Sequence, residues 1–566
     1  MSAEPSVGRS VDSVGGDLGP VGITIGVTGL RSRWSVSPWG SVTPWGLDDA
    51  PTVDWFVAAD DRWHVPSSEP TVRQSRLDGT PVVETRVRIP DGDAVQRVWA
   101  VPDGDGMCVM EFENESPKPF AIALSGGGII TERPVADVPI EGIELPDDTI
   151  VMPIGHRAIV RVAVPHPDAA ARVRSLPQIP PVLAVVRGWT RVIEQASRLV
   201  LPDEALVEAV VAARCDLLLE GPVDVADDPV GFLLDVAELV RCGDDAGAWM
   251  LDIVEPAERI ARHVADGRFA RTPGGADRGA SGRRASGRGA SDGDAFDGRP
   301  AVGGGVVAGA GVAGTSDGVA WGDGAGVAGA SDGGASGVVG ASAAGAWGDG
   351  ASDGGVAAAG ERPDGGGSTR QGRSGLRRLF ARGRGDQAID ATRAEAFDAL
   401  YAVRLVAERA NDDLAVADVE RTIARLAKSS VDADNGPVAT ASFADVRRGA
   451  SAGRFVRALE RRIADGADLL PAGMPTGWLG NNFEVHGVPT VGASTVSFAV
   501  RWHGERPAVL WEQHGDDLVT LTAHELDPSW STSDQSGEAL WPTPKNAQPR
   551  SKSLKLNVDP DGASFN

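Results

Sequence analysis

The residue types best suited to chemistry in this 566-residue chain gather near its end. Gly477-Trp-Leu-Gly-Asn-Asn-Phe-Glu-Val-His-Gly-Val-Pro-Thr490 and Phe498-Ala-Val-Arg-Trp-His-Gly-Glu-Arg-Pro-Ala-Val-Leu-Trp-Glu512 set Trp, His, Glu and Arg side by side on segments with strand periodicity. Residues two apart in a strand share a face, so Glu484 and His486 are expected to project together while Phe483 and Val485 point inward. A carboxylate beside an imidazole can accept hydroxyl hydrogen bonds or move a proton. The commoner role of such a pair is a surface hydrogen bond that pins the strand. Arg501, Trp502, His503 and Trp511 complete the expected ligand-binding set with Glu484 and His486. Tryptophans on adjacent strands more often pack across the strands as core than lie open as a ligand platform. Glu484, Glu512 and Glu538 are the candidate catalytic acids. Glycosidic cleavage needs two carboxyls ~5 to ~9.5 Å apart across the bond, so two of these act together only where the fold makes them neighbours.

A second aromatic concentration lies at the front: Trp34, Trp39, Trp45, Trp55 and Trp63, with Asp48, Asp49 and Asp54 among them. Ser37-Pro-Trp-Gly40 recurs as Thr43-Pro-Trp-Gly46. Proline fixes one backbone angle and glycine permits the bend, so each motif sets an indole on a rigid turn. Such an indole suits docking onto a neighbouring domain or stacking on a sugar.

These residues must be positioned by elements that change character along the chain. Residues 22–186 read as an antiparallel β-sandwich: Val82–Ile89, Val98–Val101, Met107–Phe112, Phe120–Leu124 and Ala158–Val164 are short and strand-like, punctuated by Gly, Pro and Asp. Residues 187–266 and 387–468 read as two parts of one domain of antiparallel helical hairpins, six or seven helices in all. Asp203 is the expected N-cap of a helix carrying Leu206, Val207, Val210, Val211, Leu217 and Leu218 at helical spacing. Further helices are expected at Pro229–Cys242, Asp244–Ala265, Asp390–Ala410, Ala415–Ala427 and Phe443–Ala464. Residues 469–545 return to short strands: Ser497–Trp502 and Ala508–Glu512 as a hairpin, with Leu518–Ala523 third. The whole is a multidomain α+β chain.

Residues 267–386 interrupt the helical domain. Gly-Ala-Ser-Asp-Gly recurs at 289–293, 329–333 and 350–354, and Trp-Gly-Asp-Gly-Ala at 321–325 and 347–351. Such a composition cannot bury enough apolar surface to offset ordering entropy, so this insertion is expected to be disordered, as are 1–21 and 546–566. The insertion carries one basic run, Arg373–Arg384, and could recruit a protein partner.

Bulk composition excludes several functions. Net charge is −25, and only Lys118, Lys428, Lys545, Lys552 and Lys555 are lysines among 54 basic residues. An acidic, arginine-dominated chain resembles halophilic cytosolic proteins, whose carboxylates hold a hydrated surface where salt screens charge. Stable nucleic-acid binding is not expected. Cys108, Cys215 and Cys242 are too few and too scattered for a disulfide framework or a cysteine zinc site. Neither a secretory signal nor an apolar run of the ~20 residues that span a bilayer occurs, so a cytoplasmic location is expected. No GxxxxGK[ST] phosphate loop and no HExxH occurs, Ser125-Gly-Gly-Gly128 does not fit a dinucleotide fingerprint, no GxSxG elbow sits between a clear strand and helix, and the eight histidines never cluster at metal spacing, so neither cofactor nor metal is expected.

The order of sheet module, helical hairpins and Trp/Glu-rich strands resembles the six-hairpin glycosidases, such as glucoamylases and glycogen debranching enzymes. Residue-level similarity is concentrated between Leu470-Pro-Ala-Gly-Met-Pro-Thr-Gly-Trp-Leu-Gly480 and Ala508-Val-Leu-Trp-Glu512. The resemblance implies a partial α/α-toroid and carbohydrate-linked ancestry. That toroid has twelve helices, about twice the number expected here, and no catalytic acid or base of the family maps onto the helical residues. Three functions remain open: an oligosaccharide- or glucan-binding protein without catalysis, a non-enzymatic scaffold acting through 267–386, and an active hydrolase using paired carboxylates.

Overall fold

The structure is a computed structural model that describes residues 22–47, 51–132, 135, 142–167, 176, 178–266, 391–428, 449–491, 494–515 and 518–544. The insertion, both termini, the Arg373–Arg384 run, Asp48, Asp49 and the expected helical start at 443–448 lie outside these residues.

Among the described residues, thirteen strands come first. They are Ile23–Gly26 (β1), Arg33–Val36 (β2), Val42–Pro44 (β3), Asp54–Ala58 (β4), Trp63–His64 (β5), Arg73–Arg76 (β6) and Val83–Ile89 (β7). Gly92–Val101 (β8), Met107–Asn114 (β9), Phe120–Ser125 (β10), Ile130–Thr131 (β11), Ile150–Ile154 (β12) and Ile159–Pro165 (β13) follow. They form a three-stranded sheet β1-β2-β3, a four-stranded sheet β12-β10-β4-β5 and a six-stranded sheet β11-β13-β9-β8-β7-β6, with antiparallel pairing throughout. One apolar cluster draws on all three, with Trp34, Val42, Trp55, Val57, Val87, Phe112 and Ile122 in it.

β8 runs to ten residues, beyond the expected Val98–Val101. Its polar first half is kept in the sheet by tertiary partners. Buried Gln96 donates to Gly40 O, and Arg97 donates to Glu84, Glu111 and Glu113 on the neighbouring strands.

The middle of the chain is helical: Val182–Ile193 (α1), Glu204–Glu220 (α2), Pro229–Arg241 (α3), Ala246–Trp249 (α4), Val254–Asp266 (α5), Arg393–Arg409 (α6), Asp413–Lys428 (α7) and Ala452–Ile463 (α8). Starts follow capping chemistry. Asp203 accepts from Leu206 N at 3.1 Å, as the sequence predicts, and Asp228 accepts from Gly231 N at 2.8 Å beside Pro229. Thr392 and Glu395 form a capping box on α6, and Ser451 accepts from Arg454 N on α8.

Two helical expectations change. The single helix expected over 244–265 is broken into α4 and α5. Pro256 has no N–H and clashes with a continuing helix four residues back, so it sits in the first turn of a new one. α1 starts at Val182, inside the expected sheet domain. Its Val186 packs against Trp99, Val101, Met107 and Val109 on the six-stranded sheet.

Nine more strands are Arg198–Val200 (β14), Ala464–Asp465 (β15), Asp468–Leu469 (β16), Phe483–Pro489 (β17), Thr495–His503 (β18), Arg506–His514 (β19), Leu521–Ala523 (β20), Asp527–Thr532 (β21) and Ser536–Leu540 (β22). They make a five-stranded sheet β14-β17-β18-β19-β22 and a four-stranded sheet β15-β16-β20-β21. The expected short hairpin segment is therefore two sheets. The third strand beside the hairpin is β22, whereas Leu521–Ala523 pairs in the other sheet. β14 reaches the C-terminal sheet from the middle of the chain, pairing Arg198 with His486 and Val200 with Glu484. Phe483, Val485, Phe498, Val500 and Trp511 pack with Leu217 of α2 and Val456 and Leu459 of α8 in one core. Among the described residues, no helix is long and apolar enough to cross a membrane.

Candidate functional site

Strand alternation divides the five-stranded sheet into two faces. Phe483, Val485, Val496, Phe498, Val500, Val509 and Trp511 are buried on the helix side. Glu484, His486, Ser497, Ala499, Arg501, Ala508, Leu510, Glu512, Glu538 and Leu540 alternate with them on the outer face. Near Val485 and Val488 the β17–β18 register slips. Gly487, with φ of +67°, takes the left-handed conformation this bulge requires. Its N–H donates to Ser497 Oγ at 3.1 Å.

On the outer face Glu484 is clamped. The Arg501 guanidinium donates to one carboxylate oxygen, and His486 Nε2 lies 3.2 Å from the other. Arg501, and after it His486, hold the Glu484 carboxyl below the usual carboxylate range. All three side chains are partly open to water. Glu484 is thus an ionised acceptor flanked by donors, on a surface rather than against the helices.

The other candidates divide between the faces. Trp511 is buried, edge-on to Trp530 at 5.4 Å, and its Nε1 donates to Asp534 O. Half-buried Trp502 donates from Nε1 to Asn481 O at 2.9 Å. Both indoles lie on the core side, so the expected joint lining by Glu484, His486 and the hairpin tryptophans is corrected: a two-residue strand period puts them on opposite faces. His503 is exposed at the end of β18, beside the Gly504 turn.

Of the three candidate carboxylates, two are neighbours and Glu484 stands apart. Leu510 pairs with Glu538 and Glu512 with Ser536, which makes Glu512 and Glu538 diagonal neighbours, ~7 to ~8 Å apart along their backbones. Glu484 pairs with Ala499, which pairs with Leu510, so Glu538 lies three strand spacings, about 14 Å, from Glu484.

The front module and the terminal hairpin bury their aromatics in separate cores, and α2 contributes to the C-terminal one while touching the front module. Arg76 of β6 donates to Asp216 of α2 at 2.7 Å, and Gly79 approaches the Glu208 backbone closely.

The strongest charge constellation was not among the expected sites. Arg214 of α2, Glu238 and Arg241 of α3 and Glu460 of α8 form a buried network with Ser197. Arg241 holds Glu460 low although burial alone would push it up. Two cations face two anions, so the cluster neutralises itself and joins helices from both sides of the insertion. Its one signal in the sequence is charge at helix positions that otherwise read as buried, such as Arg214 between Ala213 and Cys215. Nearby Asp235 is pushed up to about 6 by burial, although Val223 N, Gly453 N and Ser451 Oγ donate to it. The three thiols are buried and free, and burial pushes each up, Cys242 to about 12. No family model matches the chain, and no curated protein sequence matches it.

Proposed function

We propose that the protein is a glycosidase-related saccharide-binding protein that uses the outer face of its C-terminal five-stranded sheet and does not hydrolyse its ligand. The observation that carries this reading is Glu484, an ionised carboxylate held by Arg501 and His486 on an open face. Such a group accepts sugar hydroxyls, and the cation and imidazole beside it donate to neighbouring oxygens. Exposed Leu510 and Leu540, with Ala499 and Ala508 between them in register, offer apolar ground for sugar C–H faces. Sheets followed by paired helices support the glycosidase-related ancestry, with the front sheets read as a β-sandwich and the helices as a partial toroid.

Hydrolysis asks for different chemistry. A general acid must hold its proton near neutral pH, whereas Glu484 is shifted the other way.

Calorimetric titration of the full chain with maltohexaose in concentrated KCl tests the reading. Binding is expected at millimolar ligand, about tenfold weaker in Glu484→Gln, a loss of about 1.4 kcal/mol, and without release of reducing ends. Equal binding by the two proteins, or no binding by either, rejects it.

A further inference from the structure

The Ser37-Pro-Trp-Gly40 turn is not used by the C-terminal surface, and the fold commits unusual resources to it. Trp39 is the most exposed of the described tryptophans, at 39 %. Four backbone carbonyls around its bend, those of Ser37, Trp39, Gly40 and Ser41, accept hydrogen bonds. Trp55 Nε1 donates to Trp39 O at 2.9 Å, Gln96 Nε2 to Gly40 O at 3.0 Å and Gln74 Nε2 to Ser37 O at 2.7 Å. Ser37 N donates to Ser41 O and Gly40 N to Ser37 O, each at 2.9 Å, while Ser41 Oγ bonds Asp54. Gln96 and Trp55 are buried, so two core side chains each direct an N–H donor at this turn. Gly40 has φ of +89°, and a Cβ there would collide with Gln96 and Trp55.

The sister motif behaves differently. In Thr43-Pro-Trp-Gly46 the indole is half-buried, and the Arg33 guanidinium lies 5.3 Å above its ring. Trp39 makes no ring contact among the described residues. Of the two repeats, one indole has an internal partner and the other is presented outward on a rigid base.

We propose that Trp39 is a preorganised stacking platform for a gluco-configured oligosaccharide, a site independent of the Glu484 surface. A side chain already fixed in its bound position loses little entropy when the ligand arrives. A protein hot spot would need flanking apolar surface as well as an anchor. No other large apolar side chain of β1–β10 is exposed among the described residues. Beside the bend stand half-buried Ser37 and Gln74, polar neighbours that suit hydroxyls, while Ser41 is buried and committed to Asp54. A pyranose with equatorial hydroxyls presents a face of axial C–H bonds that one indole covers.

The test follows the Trp39 indole N–H in ¹⁵N-labelled full chain during titration with cellohexaose and maltohexaose. The Trp39 signal is expected to shift with at least one of them. Trp39→Ala should weaken binding at this site by about tenfold or more, and Trp39→Phe should recover part of it. Glu484→Gln should leave the Trp39 shift intact, which separates this site from the sheet surface. An unshifted Trp39 with both sugars, or unchanged affinity in Trp39→Ala, overturns the proposal. Self-association that Trp39→Ala abolishes would assign the indole to a protein contact and overturn it too.

Discussion

Glu484 illustrates how one residue's role depends on what stands across the strand. Alternation in β17 selects the face, but Arg501 arrives from β18 and settles the protonation state. A depressed carboxyl contributes above its unfolded pKa, near 4.5, and the contribution is lost as pH falls through the lower folded value. Saccharide binding at the sheet face is therefore expected to persist through pH 4.5 and to fall only as pH drops through that lower value, as read by titration across pH. Asp235 has the opposite sign. Its ordinary value is 3.8 and its folded value about 6, so the native state holds the extra proton between them and stability declines as pH rises through that window. Asp235→Asn should remove a decline of up to about 3 kcal/mol. Urea midpoints at pH 4 and pH 7 should then differ less in the variant than in the parent, whatever the variant's absolute stability.

At the scale of elements, the helices depend on contacts between segments far apart in sequence. Glu460 of α8 meets Arg241 and Arg214 across more than two hundred residues. Removing one member leaves buried charge without its counterion, so Glu460→Ala should cost about 3–5 kcal/mol in chemical denaturation. Gly453 lets α8 approach α3 so closely that a Cβ would collide with the Leu234 backbone. Gly453→Ala should lower stability by about 1–3 kcal/mol, although alanine is the better helix former. The α2 start was readable because Asp203 acts within four residues of itself, and the expected start at Pro229 agrees with the Asp228 cap, whereas the Thr392/Glu395 box sets α6 three residues later than the expected Asp390. The start of α1 was not readable, since its apolar face is explained by Trp99 and Met107 on a distant sheet. β14 was hidden for a similar reason: three residues carry no period, and only pairing with β17 makes them a strand.

For the whole molecule, charge sets the conditions of stability. On the outer face of the six-stranded sheet Glu84, Arg97, Glu111 and Arg161 alternate across four strands. Such pairs locally neutralise a chain whose net charge is −25. The excess of carboxylates repels itself at low salt, and the screening length falls from ~10 Å at 0.1 M to ~3 Å at 1 M. The thermal midpoint is expected to rise as KCl increases over that range; a fall would mean that attractive pairs outweigh repulsion. By itself the sequence determined the alternation of sheet and helix, the longer strands such as β7, β9, β13, β18 and β19, the Asp203 cap and the charge balance. Each follows from periodicity and chemistry among residues a few positions apart. Only the tertiary structure decided which strands became neighbours, which face each tryptophan occupies, that Glu484 is an ionised acceptor, and that Trp39 stays open while Trp45 is covered by Arg33. Those outcomes depend on partners that pairing and packing bring from elsewhere in the chain, and a strand's own period carries no record of them.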